Sequence, residues 1–122
     1  VMRRLILVAV LMLSGVAVAA DTNTFQVRTA NDLVRVCSLA PDDPLYPNAM
    51  GLCHGVLLGA WGYYDSTVGA EDRFVCAPNP TPTRAAVMNG FVTWAKSHAQ
   101  YMNDVPVDSL FRYLAETYPC AK

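Results

Sequence analysis

Apolar residues recur at helical spacing in four separate stretches of the chain, and alternating strand-like patterns are scarce. In the first stretch Leu33, Val34 and Cys37 share a side, and Thr29 with Asp32 three positions on forms a helix-capping pair. A helix is predicted from about Thr29 to Ser38. A second is predicted from about Asn48 to Thr67, where Ala49, Leu52, Cys53, Val56, Ala60, Tyr63 and Tyr64 follow a three-and-four spacing that marks a buried stripe. The third opens at Thr83, an N-cap residue, and extends to about Tyr101 with Val87, Phe91, Trp94 and Ala95 inward. The fourth runs from about Pro106 to Thr117 along an apolar edge of Val107, Leu110, Phe111 and Leu114. Pro119 stops it, because proline cannot continue the hydrogen-bond ladder.

The breaks between these stretches are equally legible. Three prolines punctuate "APDDPLYPN", the polar segment "VGAEDRFVCAPNPTP" separates the second helix from the third, and Asn103-Asp104 makes a turn. No internal repeat, low-complexity tract or linker is present. The pattern predicts one all-α domain, a small four-helix bundle whose helices alternate in direction.

The beginning of the chain reads differently. Arg3-Arg4, the apolar run from Leu5 to Leu13 and the small residues Ala17-Val18-Ala19-Ala20 follow the plan of a cleaved secretory signal. The apolar run is short for a membrane anchor. The expected division is therefore a signal peptide over 1–20 and a single helical domain over 21–122, exported to the bacterial periplasm. Without Arg3 and Arg4, seven basic side chains stand against ten acidic ones, a net charge of about −3. That balance argues against a nucleic-acid partner, which calls for a concentrated basic face.

All four cysteines, Cys37, Cys53, Cys76 and Cys120, fall in the domain. An even number in a short exported chain points to two disulfides. The bundle topology selects the pairing. Cys37 ends the first helix and Cys53 lies near the start of the second, at one end of the bundle. Cys76 precedes the third helix and Cys120 follows the fourth, at the other end. Joining Cys53 to Cys76 would mean crossing roughly 20 Å of helix, too far for a bridge. Cys37–Cys53 and Cys76–Cys120 are predicted, worth about 3 and about 4 kcal/mol by loop-closure entropy.

The segment "MGLCHGVLLGAWGYY" holds the most suggestive local chemistry. Covalent haem needs a cysteine three positions before Cys53, and that position is Met50. A metal site needs several ligands at suitable spacing, yet His54 and His98 are the only histidines and no CxxC pair occurs. A Cys53 nucleophile needs a free thiolate, which a disulfide removes. No Gly-x-Ser-x-Gly elbow or phosphate loop occurs, and Asp42-Asp43 and Glu71-Asp72 are adjacent acids on loops. No cofactor, metal or catalytic residue is assigned. Residues 44–64 carry no charge, but Pro44, Pro47 and Asn48 interrupt them and leave too little for a stable membrane span. Gly51, Gly55 and Gly59 line one side of the second helix, at roughly 1 kcal/mol each relative to alanine. Close packing against a neighbouring helix is the expected compensation, with a second copy of the chain as the alternative.

Four features follow one another along the chain: the threonine-led helix "TANDLVRVC", the Cys53-x-Gly55 pair followed by Gly59, the run "CAPNPTPTRAAVMNGFVTWAKSH", and the terminal "YPC". In that order they resemble the Tai/Rap immunity family, exported proteins that protect bacteria against type VI secretion amidases. The resemblance covers about Thr29 to Cys120. Leu52 and Val56 stand where the family carries aromatics, and Tyr118 replaces its terminal Phe; these swaps keep the core apolar. The resemblance implies a helical, disulfide-bonded periplasmic protein without catalytic function. Such a protein binds a peptidoglycan-cleaving amidase effector and obstructs its cleft, often as a homodimer. That task suits a protruding loop, and by length and polarity the connector between the second and third helices is the candidate, with Asp65, Glu71, Asp72 and Arg73 as contact residues. The rival reading is a periplasmic interaction or stress protein, chaperone-like, on the same scaffold with no toxin partner.

Overall fold

The computed structural model describes residues 21–122, so the expected signal peptide lies outside the described residues. Four α-helices follow a short 3-10 turn: α1 (Ala30–Cys37), α2 (Tyr46–Thr67), α3 (Arg84–Ala95) and α4 (Pro106–Thr117). No strand occurs among the described residues, only an isolated antiparallel bridge between Val75 and Pro119. The shortest helix, α1, packs against all three others. Leu33 and Val36 on α1, Phe91 on α3 and Leu110 on α4 are fully buried and form the centre of the core.

The start of α1 shows how the sequence sets a boundary. Thr29 takes an extended conformation and its side chain accepts from the Asp32 N–H, while Asp32 Oδ2 accepts from the backbone of Arg28 at 3.0 Å and Thr29 at 3.1 Å. The next two amides, which no helix can satisfy internally, donate across the bundle: Ala30 to the Asp104 carbonyl and Asn31 to the Met102 carbonyl, both at 2.9 Å. One cap thereby fixes the entry of α1 against the α3–α4 turn.

Two helix limits differ from the sequence expectation. Helix α2 starts two residues early, at Tyr46, with Pro47 in the first turn where its missing N–H is not needed. Helix α3 ends at Ala95 rather than near Tyr101. Its last carbonyls are captured locally. Lys96, Ser97 and His98 donate three residues back, and His98 Nδ1 also lies 2.7 Å from the Trp94 carbonyl oxygen. A separate 3-10 turn then covers Ala99–Tyr101.

The inward stripe of α2 is Ala49, Cys53, Leu57 and Tyr64, with Leu52, Val56 and Ala60 half-buried. Tyr63, expected inside, is 74% exposed. At 100° per residue the glycines fall on the opposite side from this stripe. A Cβ built at Gly51, Gly55 or Gly59 meets nothing within 4 Å, so close internal packing does not account for these residues. On α4 the inward residues include Tyr113, while Val107 is exposed. Gly90 on α3 is different: a Cβ there would collide with the Tyr113 hydroxyl, and the absence of a side chain lets α4 approach.

Both expected disulfides are present, Cys37–Cys53 and Cys76–Cys120, with Cα atoms 5.2 and 4.8 Å apart. No helix among the described residues is long and apolar enough to cross a membrane.

Candidate functional site

The polar connector predicted between the second and third helices spans residues 68–83, and its shape follows from how α2 ends. Thr67 Oγ1 and Ser66 Oγ donate to the Tyr63 carbonyl at 2.6 and 3.0 Å, and Val68 turns extended after its N–H bonds the Tyr64 carbonyl. The chain makes a 3-10 turn over Ala70–Asp72 and returns along the bundle.

Three attachments hold the returning strand of chain. The first is the hydroxyl of Tyr64, which is only 5% exposed. It accepts from the backbone N–H of Phe74 at 2.9 Å and of Val75 at 3.0 Å, and donates to the Val75 carbonyl at 3.3 Å. The second is the bridge to the C-terminal tail, in which the Cys76 N–H donates to the Tyr118 carbonyl at 2.9 Å. The third is the Cys76–Cys120 disulfide. Beneath them lies an aromatic cluster. The Tyr64 ring meets Phe74 edge-on at 5.2 Å and Phe111 at 5.0 Å, with Trp61 at 5.5 Å.

The four residues proposed from sequence divide into two pairs. Asp65 and Arg73 meet each other: Arg73 Nη2 lies 2.7 Å from Asp65 Oδ1 and 2.9 Å from the Asp65 carbonyl, and its guanidinium sits over the Tyr64 ring. An ion pair this accessible contributes at most about 1 kcal/mol, and here it closes the base of the loop. Glu71 and Asp72 are exposed on the 3-10 turn, and neither has an ion-pair partner among the described residues. The loop therefore presents two unneutralised carboxylates on a tethered base.

Sequence reasoning missed two members of this arrangement. Phe74, 50% exposed, places an aromatic surface beside the acids. Tyr64 was read only as part of the apolar stripe, whereas its hydroxyl satisfies three backbone groups of the connector. Nothing in its spacing along α2 distinguishes that hydroxyl from any other.

The Cys-His pair on α2 is chemically committed. Cys53 is 1% exposed and bonded to Cys37, so it carries no thiolate to act as a nucleophile beside His54. Among the described residues no group of histidine, cysteine and carboxylate side chains has the arrangement of a metal site.

Two titrating groups outside the loop report on the core. Burial works to raise the Asp32 carboxyl, but the Arg28 and Thr29 backbone donors and the Arg35 guanidinium overcome it and hold the pKa below the usual carboxylate range. Burial, reinforced by Tyr118, pushes the Tyr113 phenol up to about 12.

This geometry defines a class: a disulfide-stapled helical scaffold that presents a pinned, acidic surface loop. The family model for the Rap1a immunity proteins matches residues 29–120, and the chain belongs to that family. The membership agrees with the resemblance carried by the helix-one, proline-loop and "YPC" segments. No curated protein and no solved structure matches the chain.

Proposed function

We propose that this protein is a periplasmic immunity protein that binds a peptidoglycan amidase effector delivered by type VI secretion and blocks its cleft with the α2–α3 loop. The observation that carries the reading is the contrast within the loop. Its base is fastened by the Tyr64 hydroxyl, the Asp65–Arg73 pair and the Cys76–Cys120 bridge, while Glu71 and Asp72 are exposed on its outer part and the half-exposed Phe74 ring flanks them at the base. A loop held in one conformation loses less entropy on binding, which favours tight inhibition. Immunity family membership supports binding rather than catalysis as the function.

The homodimer belongs to the same reading. The glycine face of α2, with Tyr63 exposed on the same helix, offers a surface on which a second backbone could approach closely. Sedimentation velocity at micromolar concentration tests it, and a single monomeric species refutes it.

The direct test takes as partner a peptidoglycan amidase encoded next to this gene, and a neighbourhood without one counts against the reading. Calorimetry is expected to give nanomolar binding, and an assay on peptidoglycan is expected to show inhibition. Glu71→Lys with Asp72→Lys should weaken binding at least about tenfold, a loss of ~1.4 kcal/mol, with no change in Tm. Absence of inhibition by the wild-type protein, or unchanged affinity of the double variant, would overturn the proposal.

A further inference from the structure

A second feature of the connector lies beyond the acidic loop. Between Cys76 and α3 the chain reads Ala77, Pro78, Asn79, Pro80, Thr81, Pro82, and through Ala77, Pro78, Thr81 and Pro82 this run overhangs a groove of about 190 Å³. The other walls come from Leu57, Leu58 and Trp61 on α2 and from Leu114 on α4. Leu58 is 48% exposed, so the floor of the groove is apolar and open to solvent.

Its size limits the occupant. Pockets for drug-sized ligands run to about 300–1,000 Å³. A dry apolar cavity of about 150 Å³ holds one benzene ring. The groove therefore fits a single aromatic or branched aliphatic side chain.

Its charge sets what must accompany that side chain. Arg84, the first residue of α3, is the one charged group in the wall. It is exposed and has no carboxylate partner among the described residues. The first turn of α3 contains no acid, and residues 77–83 carry no charge. A cation at a helix N-terminus is unfavourably placed with respect to the helix dipole, so an arriving anion relieves that site as well as pairing with Arg84.

The groove is also pre-shaped. Proline fixes φ at three of the six residues in the overhang, Cys76–Cys120 ties down one end, and Thr83 caps α3 at the other. Few degrees of freedom remain to be lost when a side chain enters.

We infer that this groove is a docking pocket for one ring-sized apolar side chain of a partner protein, followed directly by a carboxylate that pairs with Arg84. The inference rests on the proposed function only in taking the occupant to be a protein segment. It adds a second contact, on the far side of Cys76 from Glu71 and Asp72, with the opposite charge preference.

The test is an amide-NMR titration of the ¹⁵N-labelled protein with N-acetyl-Phe-Glu-amide. N-acetyl-Phe-Lys-amide, N-acetyl-Ala-Glu-amide and decanoate serve as comparison probes. Shifts are expected to cluster at Leu57, Leu58, Trp61 and Arg84 with the Phe-Glu probe. The Phe-Lys probe should bind about two- to fivefold more weakly, the scale of an exposed ion pair. Arg84→Glu should reverse that preference, and Ala77→Phe, which fills the groove from an exposed position, should abolish the shifts without lowering Tm. Scattered or absent shifts, or equal affinity for the Phe-Glu and Phe-Lys probes, would overturn the inference. Occupation by decanoate but not by the dipeptide would also overturn it and assign the groove to an amphiphile. Failure of the wild-type protein to bind the amidase while the dipeptide still maps to the groove would defeat the proposed function alone. Normal amidase binding with no groove response would defeat this inference alone.

Discussion

Replacing Tyr64 by phenylalanine removes one oxygen atom and keeps the ring that contacts Trp61, Phe74 and Phe111. The loss falls on the connector. The Val75 N–H, on a residue 1% exposed, loses its acceptor in a place water does not reach, and an unsatisfied buried donor costs about 1–3 kcal/mol. The Phe74 N–H belongs to a half-exposed residue and recovers most of its loss by bonding water. The Val75 carbonyl loses a longer contact of 3.3 Å, which adds little. The expected destabilisation is about 2 kcal/mol, equivalent to a fall in Tm of roughly 10 °C for a domain of this size. Urea unfolding followed by circular dichroism measures the total, and native-state hydrogen exchange locates it. Protection at residues 74 and 75 should drop further than at Leu33 or Phe91. A change below about 0.5 kcal/mol, the scatter of a neutral surface substitution, would show that the hydroxyl does not hold the connector.

The remaining expectations concern the staples, the glycines and pH. Cys76→Ser with Cys120→Ser should cost about 4 kcal/mol for its 44-residue separation, and Cys37→Ser with Cys53→Ser about 3 kcal/mol for its 16; urea titration of each variant compares them. Gly55→Ala should stabilise the isolated domain by about 0.5–1 kcal/mol because its methyl group meets nothing within the chain, and should weaken the proposed dimer built on that face; Gly90→Ala should destabilise the domain by forcing the buried Tyr113 hydroxyl aside, so opposite shifts in Tm, read at a concentration where the protein is monomeric, are the check. Asp32 has a folded pKa below its unfolded value, so its contribution is present above about pH 4 and disappears as pH falls through the folded pKa. Asp32→Asn should therefore flatten the difference in stability between pH 5 and pH 2.5. Tyr113 behaves in the opposite sense. Its raised pKa means that the unfolded chain ionises first, so stability is retained below about pH 10 and falls by about 2 kcal/mol as pH approaches 12, a loss absent in Tyr113→Phe.

The sequence made visible whatever depends on spacing along one helix or on chain topology. Thr29 and Asp32 announced the start of α1, and the positions of the four cysteines relative to the helix ends were enough to select their pairing. The end of α3 was hidden because no glycine or proline marks it. Trp94, Ser97 and His98 terminate it through competition for one carbonyl, which is a property of conformation rather than composition. The regular glycines of α2 declared that they share a face but not which way it points. Their direction is set by Ala49, Cys53 and Leu57, which pack against the other helices. Asp65 in the last turn of α2 and Arg73 on the connector were recognisable as charged residues, but their mutual pairing depends on a reversal of the chain between them. The groove at Arg84 draws its walls from residues between 57 and 118, and no local pattern could have assembled it.

The two covalent rings closed by sulfur span residues 37–53 and 76–120 and share no residue. The loop carrying Glu71 and Asp72 falls in the interval between them. One proteolytic cut there parts the chain into two fragments, each with its own intact bridge and neither bonded to the other. Resistance of the domain to proteolysis thus depends on this interval, where only non-covalent contacts, among them the Tyr64 hydroxyl bonds and the Asp65–Arg73 pair, keep a nicked molecule in one piece.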